Sequence, residues 1–433
     1  MYQIENMGPR SRPPLNHWIP LSFQHVFAMF GATILVPILT GLDPATALFT
    51  AGTGTLIYIL CTGARIPAFL GSSFSFIPPL MAVSASYGVP FAMGGTIAAG
   101  LFYCLVAGIV KIAGTKWLDR AMPPVVIGSV IVIIGLFLAP VAMNMSMKTG
   151  AGEYSLVCLS IAAFTLAITV VGMIFFKGFF STVPILIGLI AGYLFTLIMG
   201  AVNPAFALIN FDVVKEAKWF GFPRPQVPSF NFVAVLTFVI VSLATICEHL
   251  GDMVVVSKVV GQDFYKNPGL HRTLTGDGLA SVWAALWGGP PNTTYSENIG
   301  VMAITRVFSV WVLGGAAVIA VLLSLFQKFG ALIQTIPTPV LGGVSMLLFG
   351  IIASSGLRTI VESGVDFKDK RNLTITSVMM VIGVGGGELA FNITQDIQFR
   401  LAGVALATVV GIVLNLIFPP SRGKISDSTE RAR

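Results

Sequence analysis

The sequence predicts an all-α integral membrane protein whose fourteen transmembrane segments form two inverted repeats of seven. Composition, a series of apolar runs and an internal repeat support this prediction. Of the 433 residues, 55% are hydrophobic and only 10% are charged, whereas soluble domains carry roughly 25% charged residues. Fourteen spans of about 20 residues use roughly 280 residues. The remainder suffices for loops, which excludes a soluble enzyme, a nucleic-acid-binding protein and a secreted disulfide scaffold.

Apolar runs bounded by glycine, proline or charged residues define the segments in order. The first half contains residues 20–40, 45–62, 74–87, 90–113, 123–144, 155–176 and 181–201. The second half contains residues 230–251, 274–288, 294–305, 308–327, 337–356, 373–391 and 400–418. Segments 74–87 and 294–305 are too short for ordinary spanning helices. We therefore expect broken segments at these two places.

The same boundaries predict the organisation of the chain. We expect an N-terminal tail (1–19), a first repeat (20–201), an extracellular linker (202–229), a second repeat (230–418) and a C-terminal tail (419–433). The charges and prolines before residue 20 indicate a retained segment rather than a cleaved signal. The four cysteines lie singly in apolar segments, so neither a disulfide framework nor a metal site is expected.

Short motifs recur in the same order in the two halves. Gly52-Thr53-Gly54 matches Gly276-Asp277-Gly278, and Ser72-Ser73-Phe74 matches Thr293-Thr294-Tyr295. Pro124-Val125-Val126-Ile127-Gly128 similarly matches Pro339-Val340-Leu341-Gly342-Gly343. Because seven is odd, the second copy must enter the membrane with the opposite orientation, as in many secondary transporters.

The basic residues predict the orientation. With both termini cytoplasmic, 19 of the 25 lysines and arginines lie inside. The outside set is Lys148, Lys215, Lys218, Arg224, Lys328 and Arg400. This distribution satisfies the positive-inside rule.

Acidic residues in the apolar segments of the second half are the candidates for function. They are Glu248, Asp252, Asp277, Glu297 and Glu388. Each costs roughly 2.5 to 3.5 kcal/mol to insert, so such residues usually have a partner or a task. The alternative to a functional role is a structural one, in which the acid caps a broken helix or pairs with a neighbouring residue. We favour this structural role for Glu388. Glu248 and Asp252 lie one helical turn apart, which suits the passage of a proton.

The two short segments contain residues typical of extended backbone. Prolines and Thr-Thr-Tyr precede Glu297, and residues 71–79 have the same character. Two extended pieces satisfy their backbone groups by pairing with each other. Remaining amides, half-helix N-termini and the faces of Phe74, Tyr295 and Phe349 would then surround a cavity. Carboxylates and amides together suit a planar, neutral lactam or imide heterocycle such as a nucleobase.

The remaining polar motifs carry less information. His25 follows Gln24 in the first span, and His249 follows Glu248. Either a structural hydrogen bond or a proton relay fits these histidines. The glycines at 383 and 385–387 lack the lysine of a phosphate loop, so they indicate close packing or a helix break.

These motifs resemble the nucleobase–ascorbate (nucleobase:cation symporter) transporter family over residues 15–420. The resemblance rests on Gln24-His25, Glu248-His249, and Glu297-Asn298-Ile299-Gly300 with Thr305-Arg306. Residues 71–74 and 291–295, with glutamate at 297, are most similar to its bacterial uracil branch. The resemblance implies a homodimer in the bacterial cytoplasmic (inner) membrane that imports uracil with a proton. It also implies a core domain of segments 1–4 and 8–11 and a gate domain of segments 5–7 and 12–14.

The resemblance also implies the site. Glu248 and Glu297 would accept the N–H groups of the base, and the backbone amides of Phe74 and Ser296 would donate to its carbonyls. The predicted pocket residues are Ala32, Tyr295 and Phe349. The predicted proton-coupling residues are Glu248, Asp252, Asp277 and His249, with Gln24, His25 and Asn298 as supporting polar groups. No cofactor other than the co-transported proton is expected.

Two acids depart from the uracil branch. Asp252 replaces an expected histidine, and Asp277 lies at an expected uncharged position. Both resemble the xanthine and urate branch, so a purine proton symporter is the alternative substrate assignment. Two other classes of protein are disfavoured. A channel is expected to have symmetric rings of acids, whereas the acids of this sequence cluster in one repeat. An intramembrane enzyme would need a nucleophile–base pair or a metal-ligand spacing, and the sequence shows neither.

Overall fold

The computed structural model describes residues 7–392 and 398–419. Parts of the two predicted tails, residues 1–6 and 420–433, therefore lie outside the described residues. The first half contains α1 (Leu15–Thr40), α2 (Pro44–Cys61), β1 (Leu70–Ser72), α3 (Ile77–Tyr87), α4 (Val89–Ala113), α5 (Lys116–Ala121), α6 (Pro124–Phe137), α7 (Ala139–Met147), α8 (Leu156–Phe175), α9 (Pro184–Val202) and α10 (Asp212–Glu216).

The second half begins with a long helix and contains the same kinds of element. It comprises α11 (Phe232–Val260), α12 (Leu270–Leu286), β2 (Asn292–Thr294), α13 (Ser296–Thr305), α14 (Val310–Leu325), α15 (Gln327–Gln334), α16 (Thr338–Glu362), α17 (Lys370–Val384), β3 (Glu388–Asn392), β4 (Gln398–Ala402) and α18 (Gly403–Ile417).

Among the described residues, eight helical segments are long and apolar enough to cross a membrane. They are α1, α2, α4, α6 with α7, α8, α9, α11 and α16, while α14 and α18 are shorter and apolar. Large apolar side chains face outward, such as Ile112 at 89% and Val202 at 80% exposure, while His249 and Ser129 are fully buried. This distribution suits a lipid environment, and the prediction of a helical integral membrane protein is confirmed at this level.

Local sequence sets several helix ends. The side chain of Asp43 caps α2, whose first residue is Pro44. Ser155 and Asn231 cap α8 and α11 in the same way. Gly261 ends α11 with a φ of 74°, a left-handed conformation that glycine adopts without steric cost.

The helices pack as two bundles. The core bundle comprises α1 to α4 and α11 to α14, and the gate bundle comprises α6 to α9 and α16 to α18. Within the core bundle, a Cβ on Gly100 would lie 2.5 Å from the carbonyl oxygen of Gly278. Both positions are glycine because α4 and α12 approach to backbone contact. The bundles meet where α1 contacts α9 and where α11 contacts α6 and α18.

Two strands of three residues cross the centre of the core bundle. β1 pairs antiparallel with β2, with Leu70 opposite Thr294 and Ser72 opposite Asn292. Ser281 Oγ bonds both the N–H and the carbonyl of Asn292, at 3.1 Å each. This pairing satisfies extended backbone inside the bundle. It also lets a helix start after each strand.

The chain differs from the prediction between its last two apolar segments. Instead of helix up to residue 391, α17 ends at Val384, and β3 pairs antiparallel with β4. Gly386 has a φ of 69°, which stops the helix. Glu388 therefore lies in a strand and pairs with Arg400 at 3.5 Å, in agreement with its structural interpretation.

The described parts of the tail and linker are fastened to the core bundle. The carbonyl of Met7 accepts the N–H of Phe308 at 2.9 Å, beside the start of α14. In the linker, the N–H of Gly221 donates to Leu325 O at 3.0 Å. Sequence reasoning identified these stretches only as a tail and a linker, because backbone pairing of this kind leaves no composition signal.

Candidate functional site

A cavity of about 530 Å³ lies between the core and gate bundles. The core bundle supplies Phe74 and residues of α11, β2 and α13, and the gate bundle supplies residues of α6, α9 and α16. Its polar lining includes Glu248, Asp252, Thr294, Tyr295, Ser296, Glu297, Ser181, Thr182, Ser354, Ser355, Thr359 and Arg358. The predicted acids and the strand–helix junctions therefore meet in one compartment.

Glu248 and Glu297 are the two glutamates that line this cavity. Glu248 lies on α11 and is half-buried, and Ser75 Oγ donates to its Oε2 at 3.4 Å. Glu297 is the second residue of α13. Among the described residues, no lysine or arginine pairs with either carboxylate within 4.0 Å. Their oxygens are therefore available to accept N–H groups from a ligand.

Two helix beginnings supply donors beside these acceptors. The strand amides of Ser73 and Tyr295 donate to Pro291 O and Phe69 O at 2.9 and 3.0 Å. The next amide after each of these, that of Phe74 and that of Ser296, begins a helical turn. The first amides of a helix have no acceptor within it and carry its positive dipole end. Such groups suit the carbonyl oxygens of a ligand.

Asp252 is held by the neighbouring broken segment. Its side chain is buried, and Thr294 Oγ1 and Ser296 Oγ donate to its two oxygens at 2.8 and 2.7 Å. Thr294 ends β2 and Ser296 begins α13, so the carboxylate fastens α11 to the junction that precedes Glu297. Any change in the charge of Asp252 therefore acts directly on the elements that form the site.

Replacing Thr294 by valine removes one of these two bonds while keeping the side-chain shape. We expect Thr294→Val to lower the free energy of unfolding by about 1.5 to 3 kcal/mol, since hydrogen bonds to charged groups contribute this much. Denaturation of purified protein in detergent measures the loss. Thr374→Val is the control, because exposed Thr374 Oγ1 only bonds Lys370 O in its own helix. Equal stability of the two variants would contradict the assigned bond.

His249 and Asp277 form a buried pair behind the cavity. His249 Nδ1 lies 2.8 Å from Asp277 Oδ2, and both side chains are fully buried. Thr273 Oγ1 lies 2.8 Å from His249 Nε2. Neither residue of the pair lines the cavity. Any part that the pair takes in coupling therefore passes through α11, which also carries Glu248 and Asp252.

The predicted supporting residues connect elements rather than line the cavity. Gln24 Nε2 donates to Thr182 Oγ1 at 2.8 Å, which links α1 of the core to the segment before α9 of the gate. Asn298 Nδ2 lies 3.1 Å from both Nδ1 and the carbonyl oxygen of His25, which fastens α13 to α1. These bonds orient the helix that carries Glu297.

Two of the three predicted aromatic residues line the cavity, and the third packs behind them. Phe74 and Tyr295 line the cavity, and Tyr295 OH donates to Ser72 O at 3.0 Å. Phe349 packs edge-on against Phe74, with ring centroids 5.8 Å apart. Phe349 and Ala32 are each 1% exposed and are not among the residues that line this cavity. In this conformation Phe349 contacts the site through Phe74.

Sequence reasoning missed the bonds from Ser75 and Thr294 and the gate side of the cavity. The two hydroxyl residues lie inside the motifs already singled out, so a full accounting of polar groups near the acids would have found them. Thr182 and Arg358 carried no such signal, since they are distant in sequence from Glu248, Asp252 and Glu297. Only the packing of the gate bundle brings them to the cavity.

The two half-helices, the paired bundles and the two cavity glutamates, which no lysine or arginine of the described residues neutralises, define a membrane transport protein. The chain belongs to the Permease family, whose family model matches residues 16–390. It is a permease, hence a transporter rather than an enzyme. The family resemblance drawn from the sequence is confirmed.

Curated relatives match nearly the whole chain. A uracil permease of Bacillus subtilis (strain 168) is 50% identical and covers 98% of each chain. A uracil permease of Escherichia coli (strain K12) is 47% identical over 95% of this chain and 94% of its own length. A putative pyrimidine permease, RutG, of Escherichia coli (strain K12) is 38% identical over 95% of this chain and 91% of its own length.

Solved structures share the fold at low identity. The transmembrane domain of the cyanobacterial bicarbonate transporter BicA gives a TM-score of 0.65 at 16% identity, covering 96% of this chain and 100% of that one. The murine anion transporter Slc26a9 gives a TM-score of 0.67 at 10% identity, covering 94% of this chain and 69% of that one. These two similarities extend to the fold alone.

Proposed function

We propose that this chain imports uracil across the bacterial cytoplasmic (inner) membrane in symport with a proton. The observation that carries the proposal is the cavity in which Glu248 and Glu297, without lysine or arginine partners among the described residues, lie beside the half-helices that begin at Phe74 and Ser296. The 43 to 50% identity to proteins named uracil permeases supports the choice of base.

The donor and acceptor groups match the edges of uracil. Its two N–H groups would donate to Glu248 and Glu297, and the amides of Phe74 and Ser296 would donate to its two carbonyl oxygens. Tyr295 and Phe74 would contact the faces of the ring. An anionic ligand would be repelled by the glutamates, whereas a neutral ring keeps all four bonds.

Coupling to a proton would follow from the surplus of acids. Glu248, Asp252 and Glu297 share one cavity, and none has an ion-pair partner within 4.0 Å among the described residues. Charges in a low-dielectric site repel strongly, and a bound proton reduces that repulsion. Protonation of Glu248 or Asp252 would favour loading from outside, and the buried pair of His249 and Asp277 would sense the charge through α11.

Alternating access would come from motion of the core bundle against the gate bundle. The protein would cross the membrane fourteen times in two inverted repeats of seven, with both termini cytoplasmic, and it would work as a homodimer. The cavity reaches exposed Arg358, which the positive-inside rule assigns to the cytoplasm. The structure would then represent an inward-facing state.

Ligand-dependent thermal stability of purified protein tests the substrate. We expect uracil to raise the unfolding temperature, because a ligand that binds only the folded state stabilises it by mass action. Thymine, xanthine and hypoxanthine are measured in parallel, under mildly acidic and mildly alkaline conditions. Stabilisation by uracil and not by the purines, with a dependence on pH, is the predicted result. Stabilisation by xanthine alone would instead favour the purine symporter.

A further inference from the structure

Two glycines of the core bundle lie directly against side chains of the gate bundle near the cavity. Gly31 on α1 faces the start of α9, where a Cβ would lie 2.5 Å from Ile185 Cγ2. Gly251 on α11 faces α6, where a Cβ would lie 2.9 Å from Ile131 Cδ1. Separations below 3.0 Å require the neighbouring atoms to move. Both contacts therefore depend on the missing side chain.

The two glycines occupy corresponding places in the repeat. Gly31 and Gly251 lie 220 residues apart, and the matched motifs lie 215 to 224 residues apart. α1 is the first long helix of the first repeat, and α11 is the first of the second. Each repeat thus places a glycine where its first helix meets the opposite bundle.

These contacts differ from ordinary glycine packing in the protein. Gly100 with Gly278, and Gly188 with Thr169, join helices within a single bundle. The contacts of Gly31 and Gly251 cross between bundles. Their partners Ile185 and Ile131 line the cavity, as does Gly251 itself. An added methyl group at either place would displace the facing isoleucine at the edge of the cavity.

We propose that Gly31 and Gly251 are positioning residues of the transport cycle, which allow the core bundle to seat against the gate bundle in the conformation described here. This inference rests on the proposed function, since it requires transport by relative motion of the bundles. Neither glycine carries a polar side chain, so substitution leaves every proposed ligand contact in place. The expected effect is on movement and not on recognition.

The two positions are not equally sensitive. Ile185 Cγ2 is a branch at Cβ, and one χ1 rotamer is strongly preferred for β-branched residues in helices. Ile131 Cδ1 is the free end of its side chain and rotates away more readily. We therefore expect Gly31→Ala to have the larger effect and Gly251→Ala the smaller one.

The experiment compares uracil uptake and uracil binding in Gly31→Ala, Gly251→Ala and two controls. Gly108→Ala and Gly350→Ala are the controls, because a Cβ at either glycine meets nothing within 4 Å. We expect Gly31→Ala to lower the maximal uptake rate roughly tenfold, in the range that overpacking produces. Its dissociation constant for uracil should stay within about threefold of the parent value. The controls should keep both quantities.

A second readout follows the conformation itself. Ser354 is exposed in the cavity on the gate side. We expect Gly31→Ala to slow the labelling of Ser354→Cys by an impermeant maleimide in inside-out vesicles, relative to the same chain with Gly31. Labelling is counted as the increment over the chain that lacks Ser354→Cys. This readout does not depend on which base is carried.

A complementary change separates packing from misfolding. In Gly31→Ala, the further substitution Ile185→Ala removes the opposing Cγ2 methyl group together with the rest of the side chain beyond Cβ, and it should restore uptake. Wild-type uptake in Gly31→Ala, or failure of the folded double variant to recover, would overturn the inference. If the parent chain takes up no uracil, the proposed function fails, while unchanged labelling in Gly31→Ala would reject the glycine contacts independently.

Discussion

Uracil uptake is expected to be lost in both Glu248→Gln and Glu297→Gln. Each substitution keeps the shape of the side chain and one acceptor oxygen but puts an N–H donor where the base presents its own N–H. A hydrogen bond to a charged group contributes about 1.5 to 3 kcal/mol, so each variant should bind uracil roughly 10- to 100-fold more weakly. Uptake of radiolabelled uracil and calorimetric titration of purified protein measure the loss.

Glu216→Gln is the matched control, because Glu216 is exposed on α10 and is not among the residues that line the cavity. It should transport uracil at the parent rate. Equal unfolding temperatures of all three variants would show that the losses arise in the site. Parent-like uptake in either Glu248→Gln or Glu297→Gln would reject the assignment of that carboxylate.

Asp277→Ala is expected to give the largest loss of stability. The partner nitrogen of His249 lies 2.8 Å from Asp277 in a fully buried setting, and removing one member of a buried pair costs about 3 to 5 kcal/mol. His249→Ala should give a loss of similar size. The double variant should cost less than the sum of the two, because the second substitution removes a partner that is already unpaired.

Chemical denaturation of the purified variants in detergent measures these values. Asp212→Ala is the comparison, because the Asp212–Lys215 pair is largely exposed and should contribute little. Losses in Asp277→Ala no larger than in Asp212→Ala would show that the buried pair does not stabilise the protein. Additive losses in the double variant would show that the two side chains act separately.

The elements that sequence reasoning located best are those with strong local signals. Asp43 with Pro44 sets the start of α2 within one residue of the predicted boundary at 45, whereas α11 ends at Gly261, ten residues beyond the predicted boundary at 251. The positions of Pro290 and Pro291 beside Thr-Thr-Tyr pointed to the break where β2 forms. These signals are local because caps, prolines and β-branched residues act on the backbone next to them.

Other features depended on contacts between distant segments. The pairing of β3 with β4 escaped prediction because Leu389 and Phe391 extend the apolar run beyond Val384. The bond from Gln24 to Thr182 joins residues 158 positions apart, and no local pattern indicates it. Phe349 was proposed first from its flat aromatic face and Ala32 by resemblance alone, and neither is among the residues that line the cavity in this conformation.

Uptake into proteoliposomes under an imposed proton gradient tests the central claim most directly. The purified chain is reconstituted, and labelled uracil is added with the outside acidic and the inside neutral. Our account predicts accumulation above the external concentration, which a protonophore abolishes and a sodium gradient does not replace. Uracil entry that only equilibrates, whatever the proton gradient, would contradict proton symport, and accumulation of xanthine without uracil would contradict the substrate.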